Sequence, residues 1–240
     1  MKSLKVDFEE IKKSKNSEDI NNFLIKLSNS PSRDHLNLLE FFISNLNPEI
    51  LDKIKINLIF TLGEIGKSNV LNEQFLSYIV NSYYTSDRWV RNEIIQTIGK
   101  ISKHAKLSEE LIKLIGSAVN DEYIPIKKNT LGVLLKLEKL PNLKNMLRVL
   151  GSKNTEVVER SIEVLFKFIP NSTQLFDSLN SSDNYQFLKI KGLRTILLFY
   201  FKSIIDLESF REKILNSTWE KEKKEDFLKE IEFYERILLK

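Results

Sequence analysis

The residues that could support catalysis or metal binding are few in this sequence. Its 240 residues include no cysteine and only two histidines, His35 and His104. Without cysteine there is no thiolate nucleophile, disulfide or cysteine-based zinc site. Two histidines this far apart provide too little for a Ser-His-Asp system or a histidine metal cluster, and the glycines form no G-x-G-x-x-G or P-loop pattern. We therefore expect a protein that is not an enzyme and that needs no cofactor and no metal.

Basic residues offer a different chemistry, which is the binding of phosphates or of an acidic partner. The chain has 37 Lys+Arg against 33 Asp+Glu, a formal net charge of +4, and the excess lies in residues 121–199, with 12 basic and 8 acidic residues. On the repeated helices predicted below, several cations fall on one face, although Glu93 and Glu163 interrupt them. This predicted basic row consists of Lys100, Lys136, Arg160, Lys167, Lys191 and Arg194. A contiguous row would suit a nucleic acid, because each neutralised phosphate releases counterions.

An aromatic and basic group precedes one of these helices. Tyr83, Tyr84, Arg88 and Trp89 are close together in the sequence. If exposed, Arg88 and Trp89 could stack on nucleobases or anchor a peptide. Packing between helices is the alternative for the same residues, and the sequence leaves both open.

The elements that would position these residues are predicted by an internal repeat. The segment 86–101 has apolar residues at the spacing of one helical stripe, namely Val90, Ile94, Ile95, Ile98 and Ile101. The same stripe occurs 36 residues earlier, 36 residues later, and then after two further steps of 31 residues. Constant offsets of this kind are typical of a repeat protein, and not of unrelated amphipathic helices.

A second apolar helix precedes each copy of the stripe. These first helices are predicted at 34–46, 70–83, 107–119, 142–150 and 173–179. Asn47 before Pro48 indicates a helix start, and Gly66 is placed where a left-handed helix cap is expected. With only seven Gly and five Pro, the chain lacks the turn residues of a β-sandwich or barrel.

The pattern therefore predicts an all-α protein built from helical hairpins. Five hairpins are expected over residues 33–202 of a single domain that covers 1–240. Residues 1–30 and 203–240 are expected to form helical caps, because stacked repeats leave an apolar face uncovered at each end.

The repeat resembles the HEAT family. Asp87 in the turn, Val90-Arg91 early in the second helix and Ile98-Gly99 near its end match the HEAT pattern, and Leu62-Gly63 matches its last element. The resemblance implies a right-handed HEAT/armadillo-like α-solenoid whose second helices line a concave face. It also implies a scaffold or adaptor that binds a protein partner through this face.

The resemblance leaves an alternative function open. A HEAT protein with a basic concave track could bind DNA or RNA, and this group includes proteins related to the HEAT-like DNA glycosylases. Those enzymes need an aromatic cleft around an Asp, for which Trp89 near Asp87 is the nearest match.

The sequence also predicts a cytoplasmic location. Its first residues contain no apolar run of 7–15 residues such as a secretory signal needs. The longest strongly apolar uncharged run, 195–201, is about one third of a membrane span. We therefore expect a soluble chain without a membrane span. The expected partner is a protein, or else a nucleic acid, and the oligomeric state is left open.

Overall fold

The computed structural model describes residues 4–14 and 16–238, and within these ranges it is all-helical, without a strand. Parts of the two predicted caps, at 1–3, 15 and 239–240, lie outside the described residues. The α-helices of the described ranges are α1 (Leu4–Ser14), α2 (Ser17–Asn29), α3 (Leu36–Asn45), α4 (Pro48–Gly66), α5 (Glu73–Thr85), α6 (Arg88–Ile101), α7 (Glu109–Ala118), α8 (Ile124–Leu134), α9 (Leu143–Val149), α10 (Thr155–Phe168), α11 (Ser172–Asn180), α12 (Ile190–Tyr200), α13 (Ile204–Leu215) and α14 (Lys221–Leu238). Short 3-10 helices occur at Arg33–His35 and Ser181–Phe187.

The helices predicted from the repeat are confirmed. The five first helices correspond to α3, α5, α7, α9 and α11, and each of their ends lies within three residues of its predicted position. The stripe of α4 is fully buried, as its spacing requires: Ile54, Leu58, Ile59, Leu62 and Ile65 have no exposed area. The periodicity therefore identified both the helices and the faces that they bury.

The helix ends follow from local side chains. Asn47 caps α4, because its Oδ1 accepts a hydrogen bond from the Ile50 backbone N–H at 2.9 Å. The prediction for Gly66 is wrong, since none of the described glycines has a positive φ. Gly66 ends α4 for a packing reason: a Cβ atom built on it would lie 2.8 Å from Cγ1 of Ile101.

The chain forms two compact units, residues 1–114 and residues 115–240. In the first unit α4 packs against both α2 and α6. Gly63 permits close approach on the α6 side, because a Cβ there would lie 2.7 Å from Oγ1 of Thr97. Thr97 donates to the Ile59 carbonyl at 3.1 Å, and Thr61 donates to the Leu24 carbonyl at 3.2 Å. Threonines 36 residues apart thus make equivalent bonds to the helix two places earlier in the chain.

The second unit repeats this packing of alternate helices. There α10 contacts α8 and α12, and α12 contacts α14. Tyr200 donates its hydroxyl hydrogen to the Ile169 carbonyl at 2.7 Å, at the end of α10. Tyr234 does the same to the Phe201 carbonyl at 2.6 Å, at the end of α12. Each tyrosine satisfies a carbonyl that would otherwise lack a partner at a helix C-terminus.

The last residue of the fifth predicted stripe, Phe199, is not buried as the stripe predicts. Phe199 is 42% exposed, whereas Phe201 just beyond α12 is buried and packs on Phe210 with ring centroids 4.9 Å apart. The chain leaves the helix at Phe201, and this change of direction turns Phe201 inward in place of Phe199.

The predicted C-terminal cap contains its own aromatic core. Trp219 is buried and stacks on Tyr185 with ring centroids 4.3 Å apart. Its indole Nε1–H donates to Oδ1 of Asn180 at 2.9 Å. Phe227 and Ile231 of α14 are buried on the same side of that helix as Tyr234, while Lys229 and Glu232 between them are exposed. Within the described residues, no helix is long and apolar enough to cross a membrane.

Candidate binding surfaces

The turn before α6 holds Asp87, Arg88 and Trp89. Oδ1 of Asp87 accepts hydrogen bonds from the backbone N–H groups of Trp89 at 2.9 Å and Val90 at 3.0 Å. This carboxylate therefore acts as a helix cap. Trp89 is 55% exposed, and the Arg88 guanidinium carbon lies 5.1 Å from its ring centroid. The two predicted residues come together as an exposed aromatic–cation pair.

Lys100 is held inside a charged cluster between α4 and α6. Its Nζ lies 3.1 Å from Oε1 of Glu64 and 3.3 Å from Oε1 of Glu93. It also lies 4.1 Å from the ring centroid of Phe60. The side chains of the three charged residues are only 15–17% exposed. Lys100 is thus neutralised by two carboxylates and is not free for an external phosphate.

The pKa values of the two glutamates are shifted in opposite directions in this cluster. Burial raises the pKa of Glu93, with the nearby charge of Lys100 opposing this. Burial also acts to raise the pKa of Glu64, but hydrogen bonds from Lys67 and Lys100 outweigh it and lower that pKa. The cluster joins the two helices through one shared lysine.

Lys136 and Lys167 do not extend a common helical face. The prediction that Lys136 lies on the second helix of its repeat is wrong, because α8 ends at Leu134 and Lys136 is in the following turn. Lys167 donates from Nζ to the carbonyl oxygens of Leu135, at 2.8 Å, and Leu137. The end of α8 thus presents carbonyl groups that Lys167 caps.

The remaining three cations of the predicted basic row also have internal partners. Arg160 lies 3.1 Å from Oε1 of Glu156, one turn away on α10. Lys191 donates from Nζ to the Ser152 carbonyl at 2.6 Å. Arg194 makes two hydrogen bonds to the Glu230 carboxylate, at 2.7 and 2.9 Å, which lower the pKa of Glu230 and raise that of Arg194.

Exposed apolar side chains lie near Lys100, the only member of the predicted basic row in the first unit. Ile56 and Phe60 lie one turn apart on α4 and are 39% and 37% exposed. Trp89 and Gln96 are exposed at a spacing that places them on one face of the neighbouring α6, with Lys100 a further turn along. We call the exposed side chains of Ile56, Phe60 and Trp89 the aromatic face.

Each unit also has a cleft. A cleft of about 790 Å³ in the second unit lies between α12, α13 and α14, and Ile204, Phe233 and the Arg194–Glu230 pair are among its lining residues. A cleft of about 410 Å³ in the first unit is lined by α1 and α2 and is largely acidic. Neither cleft is lined by Asp87 or Trp89. Within the described residues, no group of three or more His, Asp or Glu side chains could hold a metal ion.

Some contacts between helices were not predicted from the sequence. The pairs Tyr200–Ile169 and Tyr234–Phe201 link alternate helices at a spacing of 31–33 residues. The two tyrosines are 34 residues apart, so the repeat itself could have indicated them. The ion pair of Arg211 with Glu235, at 2.6 Å, joins α13 to α14 and follows no repeat.

Comparison with known proteins supports the fold and leaves the function open. No protein-family model matches the chain, and no curated protein matches it. Among solved structures, it is similar to the crystal structure of an engineered protein, a target of the Northeast Structural Genomics Consortium. The TM-score is 0.50 with 11% sequence identity, over 97% of this chain and 98% of the other. At this identity the likeness concerns the fold alone.

Proposed function

We propose that the chain is a HEAT-like α-solenoid without catalytic activity, and that it binds a protein partner. Its second helices (α4, α6, α8, α10 and α12) would form the concave face that contacts the partner. Two observations support the solenoid. In each unit, alternate helices pack side by side. In the first unit, Thr61 and Thr97, 36 positions apart, make equivalent bonds to the helix two places earlier in the chain.

The aromatic face is the observation that carries the assignment to a protein partner. Exposed aromatic and aliphatic side chains are the residues around which binding energy concentrates in protein interfaces. Trp89 is the strongest anchor of the three, since more than half of it is exposed and Arg88 lies beside its ring.

The state of the basic row favours a protein over a nucleic acid. Five of its six cations are bonded to carboxylates or backbone carbonyls, so an incoming phosphate would have to displace those partners. A relation to DNA glycosylases receives no support from Asp87, whose carboxylate caps α6.

Site-specific photocrosslinking tests this proposal. A benzophenone amino acid is placed at position 60, at position 89, or at the exposed Glu222 of α14 as a control. In extracts of cells that produce the protein, we expect positions 60 and 89 to crosslink to one common protein, and position 222 not to. Equal crosslinking at all three positions, or crosslinks to nucleic acid alone, would contradict the proposal.

A further inference from the structure

Two segments of the second unit contain basic residues and no acidic residues. Residues 139–155 include four basic and no acidic residues, and residues 184–205 also include four basic and no acidic residues. The two segments are adjacent, because α9 contacts both the 3-10 helix Ser181–Phe187 and α12. Packing therefore concentrates positive charge that the net charge of the chain does not reveal.

Two of these cations share one aromatic ring. Nζ of Lys144 lies 4.0 Å from the ring centroid of Phe187, and the guanidinium carbon of Arg148 lies 4.9 Å from it. Lys144 and Arg148 are one turn apart on α9, so both project from the same side of that helix. Both distances are within the range of a cation–π contact. Phe187 thus holds two like charges close together, and no carboxylate of a described residue pairs with either.

Lys189, the residue before α12, places a third cation next to the C-terminal end of α9. It is exposed, and a Cβ atom built on Gly151 would lie 3.5 Å from its Cδ. The backbone N–H of Gly151 donates to the Arg148 carbonyl at 3.1 Å, so Lys189 lies over the same turn that carries Arg148. We call Lys144, Arg148 and Lys189 the basic patch.

The basic patch is short, because the groups next to it are already paired. Arg194, further along α12, is bonded to Glu230. Gln186, the residue before Phe187, donates to Oε1 of Glu220 at 3.2 Å. Carboxylates of the C-terminal region thus border the patch on this side. Strong nucleic-acid binding sums many phosphate contacts, of the order of 6–10, and three free cations cannot supply them.

We infer that the basic patch binds a short acidic segment of a partner protein. Clustered cations without internal partners favour carboxylates at a similar spacing, and the half-buried Phe187 ring holds Lys144 and Arg148 in place for them. The patch lies on α9 and at the start of α12, in the second unit, whereas the aromatic face belongs to the first unit. The inference rests on the proposed function only in taking the partner to be a protein.

A defined peptide provides the test. The probe is a fluorescent eight-residue peptide that alternates Glu pairs with Leu pairs, and the matched probe has Gln in place of Glu. We expect the full chain to bind the Glu peptide, measured by fluorescence anisotropy, and to bind it more weakly as salt rises from about 50 to about 200 mM. The double variant Arg148→Glu, Lys189→Glu is expected to weaken binding at least tenfold.

Two further variants control the charge change and the role of the ring. Lys103→Glu with Lys106→Glu makes the same change in net charge at exposed positions of the first unit and should leave binding unchanged. Phe187→Leu keeps an apolar side chain and both cations. It should reduce affinity with no change in the circular dichroism spectrum, since the ring positions the two cations.

Three results would overturn the inference. These are equal binding of the Gln peptide, equal weakening by the control variant, and tighter binding of a 12-nucleotide single-stranded DNA than of the Glu peptide. If the peptide fails to bind while crosslinks at positions 60 and 89 persist, the basic patch is rejected and the proposed function stands. The opposite pair of results rejects the aromatic face and retains the patch.

Discussion

Gly63 and Gly132 show at the scale of single residues how the same amino acid serves different purposes. Gly63 lies at a close contact of α4 with α6, and a Cβ there would be 2.7 Å from Oγ1 and 3.3 Å from Cα of Thr97. Gly132 lies within α8 with no atom within 4 Å of a Cβ built on it. The first glycine is required by packing, and the second only adds flexibility to its helix.

This difference predicts opposite effects of the same substitution. Gly63→Ala should lower the free energy of unfolding by about 1–3 kcal/mol, because the backbone of α6 must move away. Gly132→Ala should raise it by about 0.5–1 kcal/mol, because alanine favours the helix and meets no clash. Urea denaturation of both variants measures the two changes. A loss of stability in Gly132→Ala would show that its surroundings are more crowded than described.

The pair of Arg194 and Glu230 predicts a dependence of stability on pH. Hydrogen bonds from Arg194 lower the pKa of Glu230 in the folded protein. The ionised carboxylate therefore stabilises the fold above the pKa of Glu230 in the unfolded chain, about 4.3. This contribution is lost as the pH falls through the lower folded value.

The measurement compares the wild type with Glu230→Gln from about pH 7 to about pH 3. We expect Glu230→Gln to be less stable at pH 7 and the difference to shrink in acid. Glu232→Gln is the control, since Glu232 is exposed on the same helix and should show little difference at any pH. A difference for Glu230→Gln that stays constant with pH would mean that its charge is not the cause.

At the scale of helices, tyrosine hydroxyls close the ends of α10 and α12. The Tyr234 hydroxyl is buried where it donates to the Phe201 carbonyl. Tyr234→Phe removes the donor and leaves that carbonyl without a partner, so we expect a loss of about 1–3 kcal/mol in the free energy of unfolding. Tyr84→Phe is the matched control, because Tyr84 is 65% exposed, and its effect should stay within about 0.5 kcal/mol. Thermal and urea unfolding give both values, and equal effects would contradict the account.

The helices themselves were predictable because the same stripe of apolar residues recurs in every repeat. A stripe such as Ile94, Ile98 and Ile101 identifies a buried helical face without any knowledge of what covers it. The sequence could not show where helices end within a turn, which depends on tertiary contacts. Lys136 left its predicted face because α8 stops early, and the carbonyls of Leu135 and Leu137 are bonded to Lys167 from another helix.

The sequence did not reveal that the cations of the predicted basic row are paired, for an electrostatic reason. Sequence spacing placed Lys100 and Arg194 on exposed faces, but it could not show that Glu64 and Glu230 lie opposite them, 36 residues away. A cation prefers a fixed carboxylate nearby to solvent when both belong to the same fold. The repeat that positions cations in successive helices positions their partners as well.

At the scale of the whole molecule, the net charge of +4 does not show which cations are available to a partner. Internal pairs absorb most of the predicted basic row, while Lys144, Arg148 and Lys189 keep no carboxylate partner among the described residues. The aromatic face of the first unit and the basic patch of the second are the two surfaces that we propose for an external partner. This distribution is what we expect of a protein-binding scaffold.

The affinity of the purified partner identified by crosslinking tests this central claim most directly. Isothermal titration calorimetry would compare the wild type with Phe60→Ala, Trp89→Ala and the control Ile205→Ala, which removes an apolar side chain that is 82% exposed in the second unit. We predict that Phe60→Ala and Trp89→Ala each weaken binding at least tenfold, which corresponds to about 1.4 kcal/mol or more. Ile205→Ala should leave affinity unchanged, and all variants should melt within a few degrees of the wild type. Unchanged affinity in both Phe60→Ala and Trp89→Ala would contradict the assignment of the aromatic face as the partner-binding surface.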